Sequence, residues 1–267
     1  MRLAIMTPRR PQSEMLIRRL GQVGLAPTLV LYHQKQDVTG LGRWKKWVKD
    51  TVRSILFFNS ILERVRRVRL SNERASSLFL DQFALRHSLD RDQELPKAVH
   101  EISRVNAEET ANLLRAHEID ILFIWGVPII RPNIIASVRR MVINAHSSIL
   151  PEYRGAKSEF WQCYHQDFKH AGVTLHQVDV GVDTGDILMQ VKADPADCVN
   201  PERLRVSNAI RVIEGLPVLL ETVISGSYRR TSQADLSSPR TPTYRMKDVG
   251  IHHFSRVYLG IDVEAGR

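Results

Sequence analysis

Val142-Ile143-Asn144-Ala145-His146-Ser147-Ser148-Ile149-Leu150-Pro151-Glu152-Tyr153-Arg154-Gly155 is the stretch on which the reading of this chain turns. It opens as a β-branched strand and stops on an amide and an imidazole. Turn-forming Ser, Pro and Gly follow at once. In open α/β sheets, ligands bind beyond the carboxyl ends of strands, which is where this spacing puts Asn144 and His146.

Working upstream, Arg2–Met6 reads as a first strand and Thr7-Pro8-Arg9-Arg10-Pro11 as a loop. Ser13 is read as the helix cap, and Met15, Leu16, Leu20 and Val23 have helical spacing. Thr28–Tyr32 is a second buried strand, so strand, helix and strand begin a parallel α/β sheet. Val99–Ile102 resumes it. Asn106 and Glu109 form a capping-box pair for a helix over Ala107–His117, and Ile119–Trp125 is the next strand. The loop Gly126–Pro132 ends on a proline suited to the first helical position.

Downstream, a helix is expected over Ala156–His165. Strands Val173–Val178 and Ile187–Val191 flank a loop containing Asp183-Thr184-Gly185-Asp186. Asn200 and Pro201 start a long helix through Ile224, with a bend expected at Gly215 and Pro217. Beyond Gly226 the chain is Ser-, Arg- and Pro-rich, then helical near Met246–Tyr258.

Composition sets bounds. With 267 residues and 43% apolar content the chain can bury a real core. Cys163 and Cys198 make no disulfide framework and suit a reducing, cytoplasmic setting. A strand at the N-terminus argues against a signal peptide, and no uncharged run is long enough to span a bilayer. The net charge of +9 is concentrated: Leu41–Leu70 carries nine basic residues against Asp50 and Glu63. Trp44, Trp47, Val48, Val52, Ile55 and Leu56 share a helical face there, and Ile61, Leu62, Val65 and Val68 form a second run. Residues 41–90 are thus a basic helical insertion that packs its apolar stripe on the domain. Contact of residues 41–70 with an anionic membrane or a glycosyltransferase is the alternative. No nucleic-acid-binding module accompanies the charge.

The chemistry comes from three chain pieces. An amine attacking an amide-like carbonyl creates an oxyanion. Asn144 can donate to it, His146 can donate as imidazolium or relay the amine's proton, and Asp183 can orient or stabilise that ring. The bland alternatives are a strand end that caps a turn, or a lone Asp-Thr-Gly of the kind found in aspartic proteases. Cys163, His165, His170 and His176 match no metal-ligand spacing. Phe160, Trp161 and Tyr164 read as core.

These motifs resemble the folate-dependent formyltransferases. The resemblance is carried by Asn144-x-His146-x-Ser148-x-Leu150-Pro151-x-Tyr153-Arg154-Gly155 with Gly172-Val173-Thr174-x-His176 and Asp183-Thr184-Gly185. It covers about Asp120 to Gln190, with fainter likeness at residues 1–33 and 96–119. It implies an α/β, Rossmann-like fold: an open, mostly parallel twisted sheet with helices on both faces. The catalytic domain would span 1–225, followed by a C-terminal extension, 226–267. It implies Asn144, His146 and Asp183 as catalytic triad, 10-formyltetrahydrofolate as formyl donor, and no metal. The pterin would sit beside Gly126, Val127, Ile129 and Ile130 and against Asp179, Gly181, Val182, Thr184, Gly185 and Asp186. Ser148, Tyr153, Arg154 and Gly155 would line the acceptor side, with His176 either facing the site or structural. Arg9 and Arg10 either meet the acceptor's phosphates or form a solvated loop.

Departures from the family pattern bear on the acceptor. Thr7-Pro8-Arg9-Arg10-Pro11 replaces the glycine-rich phosphate loop of the glycinamide ribonucleotide enzymes. The residues after Val191 are too few for the C-terminal barrel of the initiator-tRNA enzymes. An amine on a nucleotide-linked sugar is therefore the expected acceptor, and a homodimer the expected assembly. The alternatives are another amine, such as glycinamide ribonucleotide, aminoacyl-tRNA, a small amine or an aminoglycoside, or a non-catalytic folate-binding scaffold.

Overall fold

A computed structural model describes residues 1–34, 59–89, 98–236 and 242–261. Strands β1 (Leu3–Thr7), β2 (Leu29–His33), β3 (Val99–Ile102), β4 (Ile121–Ile124), β5 (Met141–His146), β6 (Gly172–Gln177) and β7 (Ile187–Lys192) form one sheet in the order β3-β2-β1-β4-β5-β6-β7. The first five are parallel. β6 runs antiparallel to β5, and β7 runs antiparallel to β6 with a register shift at Leu175/His176. β1 and β4 are buried at every residue, as apolar strands covered on both faces should be.

The helices are α1 (Pro11–Gln22), α2 (Asn59–Arg86), α3 (Glu108–Ala116), α4 (Pro132–Ile135), α5 (Ser158–His165), α6 (Pro201–Ser225) and α7 (Ile251–Leu259). Strand alternation divides the core in two. Ile5, Val30, Phe123 and Ile143 meet Leu16 and Leu20 of α1 and Val212, Leu216 and Leu220 of α6. Ala4, Met6, Leu31, Leu122 and Val142 meet Ala111 and Leu114 of α3 and Ile134 of α4. Each buried Leu or Ile of this kind contributes about 1.5–3 kcal/mol.

Asn200 caps α6 as its sequence predicts, its Oδ1 accepting from the Arg203 amide at 2.8 Å. α6 carries Pro217 in its interior and continues to Ser225. Two predicted caps are not formed. Ser13 lies inside α1, which starts at Pro11. Its buried hydroxyl donates to the Pro8 carbonyl at 2.9 Å and pairs with Thr7 Oγ1 at 2.8 Å. Asn106 leaves α3 uncapped, because its amide is used on the loop after β4, 25 residues away.

Of the basic insertion over 41–90, residues 41–58 and 90 lie outside the described residues, including Arg43, Lys45, Lys46, Lys49, Arg53 and the stripe from Trp44 to Leu56. α2 packs on α6 and α7. Val65, Leu80 and Phe83 are buried, whereas Leu62 is exposed. The Arg203 guanidinium lies 3.4 Å from the Phe79 ring centroid, and buried Glu202 accepts from Tyr258 Oη of α7 at 2.6 Å. Residues after 226 return to the sheet. Thr231 bridges Ile187, Tyr244 bridges Gly155, and α7 closes an aromatic core with Tyr153, Phe160, Trp161 and Tyr244. Among the described residues no helix is long and apolar enough to cross a membrane.

Candidate active site

Asn144 and His146, two residues apart on β5, point to one face of the sheet. Antiparallel β6 sets His176 opposite Asn144 and Thr174 opposite His146. The chain leaving β6 then folds back, bringing Asp183 to the same face. Asp183 holds a left-handed φ of 52°. Its Oδ2 accepts from the Gly155 amide at 2.9 Å and faces His146 Nδ1 at 3.3 Å. Its Oδ1 accepts from Asn144 Nδ2 at 3.3 Å and lies 3.5 Å from His176 Nε2.

The tautomers follow from the acceptors. His176 Nδ1 lies 2.9 Å from the Gln177 carbonyl, which can only accept, so Nδ1 carries the hydrogen. Neutral Nε2 then accepts from Asn144 Nδ2 at 3.1 Å. Both Asn144 N–H groups are thereby engaged, and Oδ1 is the atom left for a ligand. His146 Nε2 donates to the Tyr153 carbonyl at 2.8 Å while Nδ1 faces the Asp183 carboxylate. Both acceptors are satisfied when each ring nitrogen carries hydrogen. Burial by itself would raise the Asp183 carboxyl. The charge of His146 and the hydrogen bond from the Gly155 amide oppose it, and Asp183 is held well below the usual carboxylate range.

On the α6 side of β5, His146 also borders a cavity of about 220 Å³. Arg10, Lys157 and Arg205 supply three cations to its wall, with Glu159 as the acid, and Gln12 and Asn208 add amides. Arg10 Nε and Nη2, Gln12 Oε1 and both side-chain polar atoms of Asn208 are buried without hydrogen-bond partners. Arg10 lies over the Trp125 ring, 5.5 Å from its centroid. A Cβ on Gly126 would stand 2.7 Å from Arg10 Nη2, so this glycine leaves room for the guanidinium. Burial first, then Arg205, lowers the Arg10 pKa, with Glu159 opposing; burial, then Arg69 and Arg205, lowers Lys157. Such a pocket favours an anion.

The remaining predicted residues divide. Gly155 lines the cavity. Ser148 is fully buried and donates to the Glu152 carbonyl at 2.6 Å, holding the loop together. The Tyr153 side chain points away into the aromatic core and donates to Asp167 Oδ2 at 3.0 Å; its carbonyl is the group that meets His146. Arg154 donates to Gln233 Oε1 at 2.7 Å. Arg9 points away from Arg10, pairing with Glu14 and Glu101 beside Tyr32.

Two loops stand where the pterin is expected. The Gly126–Ile130 loop is pinned by Asn106, whose Nδ2 donates to the Ile129 carbonyl at 2.9 Å and whose Oδ1 accepts from the Arg131 amide at 2.7 Å. Asp179 Oδ1 accepts from the Gly181 amide at 3.0 Å and from Thr184 Oγ1 at 2.6 Å, folding the 179–186 loop on itself. Ile129 and Val180 are exposed at their tips, and Ile130 is buried beneath. Among the described residues no group of three or more His, Cys, Asp or Glu is arranged to hold a metal.

Sequence reading missed Gln12, Lys157, Arg205, Asn208 and Gln233. Arg205 and Asn208 are spaced i,i+3 on α6, a signal that was legible but indistinguishable from a solvated helix face.

The formyl transferase family model matches residues 81–207. A methionyl-tRNA formyltransferase of Chlorobium chlorochromatii is 31% identical over 126 residues, 47% of this chain and 38% of the relative. The chain thus matches well under half of that relative's length. Glycinamide ribonucleotide transformylase 1 of Symbiobacterium toebii superposes with a TM-score of 0.53 at 18% identity, covering 84% of this chain and 88% of that one. A sugar 3N-formyl transferase, WlaRD, solved in the presence of dTDP and 5-N-formyl-THF, superposes with a TM-score of 0.54 at 16% identity, covering 97% and 79%. At these identities the two structures establish the fold.

Proposed function

Residues 81–207 belong to the formyl transferase family, and from that premise we propose that this protein moves a formyl group from 10-formyltetrahydrofolate to the primary amine of a phosphorylated acceptor, a nucleotide-linked amino sugar being the preferred class. The observation that carries the reading is the meeting of Asn144, His146 and Asp183, from separate chain segments, through contacts of 3.3 Å beside a cationic cavity.

The donor brings an activated formyl carbonyl between the 126–130 and 179–186 loops. Asn144 Oδ1 accepts a hydrogen bond from the incoming amine and aims its lone pair. His146, with hydrogen on both ring nitrogens and fixed between Tyr153 O and Asp183, places positive charge beside the oxygen on which negative charge develops. Asp183, held ionised, stabilises that ring; as the bond from the amine nitrogen to the formyl carbon forms and the bond from that carbon to the tetrahydrofolate nitrogen breaks, the proton lost by the amine ends on the leaving nitrogen. Arg10, Lys157 and Arg205 hold the acceptor's phosphate on the α6 side, so donor and acceptor approach His146 from different sides of β5. The sugar preference is supported by two observations: the cavity wall carries Arg10, Lys157 and Arg205, and an arginine-bearing loop follows β1 where the glycinamide enzymes are expected to have a glycine-rich one. The free thiols of Cys163 and Cys198 fit a cytoplasmic setting.

The test is release of tetrahydrofolate from 10-formyltetrahydrofolate across a panel of nucleotide-linked and simple phosphorylated amino sugars. Asn144→Ala and His146→Ala should each lower turnover by at least about 10²-fold. Wild-type rates in both variants would refute the assignment.

A further inference from the structure

The residue that holds the candidate acid in place lies outside the family-matched segment. Gln233 is buried, at the start of a 3-10 turn in the segment that returns after α6. Its backbone approach is fixed by Thr231, which exchanges two hydrogen bonds of 2.9 Å with Ile187 at the start of β7. The Gln233 amide then bridges the loop. Nε2 donates to the Asp183 carbonyl at 3.0 Å and to the Gly185 carbonyl at 2.7 Å, and Oε1 accepts from Arg154 Nη2 at 2.7 Å.

Both carbonyls belong to a turn that needs outside support. Asp183 is a non-glycine residue in the left-handed region, and a Cβ on Gly185 would fall 1.9 Å from the Gln177 carbonyl. Arg154 directly precedes Gly155, whose amide donates to the Asp183 carboxylate. The same returning segment grips that second loop through Tyr244: its amide donates to the Arg154 carbonyl and its carbonyl accepts from the Ala156 amide, both at 2.9 Å.

We propose that Gln233 is a positioning residue for formyl transfer: it clamps the backbone on both sides of Thr184 and ties it to Arg154, fixing the Asp183 carboxylate against His146, His176 and Asn144. This rests on the proposed roles of those three residues. Gln233 touches none of the side chains assigned to donor or acceptor, apart from Arg154. Its contribution is therefore to geometry, where a displacement of about 1 Å can cost on the order of 10²-fold in rate.

Two variants separate the clamp from the Arg154 tether. Gln233→Leu loses all three hydrogen bonds. Gln233→Glu keeps an acceptor for Arg154 but sets carboxylate oxygen against two carbonyls. Both should lower kcat by about 10- to 100-fold, and donor KM should rise by less than that, because the clamped turn is also part of the 179–186 loop. In the full chain without substrates, the imidazole ¹⁵N resonances of His146 and His176 should move in both variants and stay in place in Val218→Ala, an exposed α6 control. Loss of folded protein alone would lower activity without moving the rings of the folded fraction. His146 and His176 resonances in Gln233→Glu that coincide with wild type would overturn the proposal, whatever the rates. A wild-type protein that formylates no acceptor would refute the functional reading instead, and the resonances would still decide the clamp. Should Gln233→Leu not fold, Gln233→Glu alone carries the decision.

Discussion

Asp183 Oδ2 lies 3.3 Å from His146 Nδ1 and 2.9 Å from the Gly155 amide, so one carboxylate oxygen joins the end of β5 to the loop that follows it. The pairing has a pH signature with a definite sign. A carboxyl whose folded pKa is depressed adds stability above its unfolded value, near 3.8 here, and that stability is lost as pH falls through the folded value. Near pH 5, urea melts should find wild type more stable than Asp183→Asn. The difference should shrink below pH 3.8. A difference that grows toward low pH would reverse the assignment of sign.

Arg10 is held in the cavity wall with Nε and Nη2 unpartnered. Without an anion this arrangement is a cost, and with one it gives charge-assisted bonds worth roughly 1.5–3 kcal/mol. Arg10→Met should therefore raise the melting temperature of the ligand-free protein while raising acceptor KM by about 10- to 100-fold and leaving donor KM unchanged. Inorganic pyrophosphate should raise the melting temperature of wild type more than that of the variant. Equal shifts in both would remove Arg10 from the anion site.

Gly155 has a φ of 92°, and a Cβ there would lie 2.1 Å from the Tyr244 carbonyl. Gly155→Ala must strain the backbone or push the returning segment away. Destabilisation of about 1–3 kcal/mol is expected from the backbone alone, read by chemical denaturation. Turnover should fall with it, because the displaced amide is the one bonded to Asp183.

Asn106 makes its two side-chain hydrogen bonds to the loop after β4. Asn106→Ala frees the far end of that loop, at Ile129 and Arg131, whereas Trp125 and Gly126 at its near end border the cavity. Each such bond is worth roughly 1 kcal/mol, so losing both should raise donor KM by about 5- to 30-fold and acceptor KM by less. Steady-state titration of each substrate distinguishes the two. An effect confined to acceptor KM would misplace the donor loop.

The pattern of the chain was enough for much of this. Apolar strands at Leu3–Thr7, Leu29–His33 and Ile121–Ile124 alternate with helices of 3.6-residue spacing, and that alternation allows few solutions other than a parallel sheet covered on both faces. The position of Asn144 and His146 at a strand's polar end was equally local, as was the Asn200 cap. Asn106 shows the limit of local reading: its spacing to Glu109 satisfies a helix-cap pattern, yet an amide that can bond either its own helix or a distant loop is allocated by packing.

What only the tertiary structure decided lies in the contacts between distant segments. The antiparallel turn of β6 and β7 brings His176 opposite Asn144 and folds Asp183 back onto the same face. Arg205 and Asn208, on α6, meet Arg10, from the loop after β1, because both elements cover the same side of the sheet. Gln233 reaches Asp183 across 50 residues of chain. Periodicity records which face of an element is buried, since burial acts residue by residue. It does not record which segment supplies the covering groups, because a hydrogen bond or charge pair formed across the fold leaves no regular spacing in the sequence.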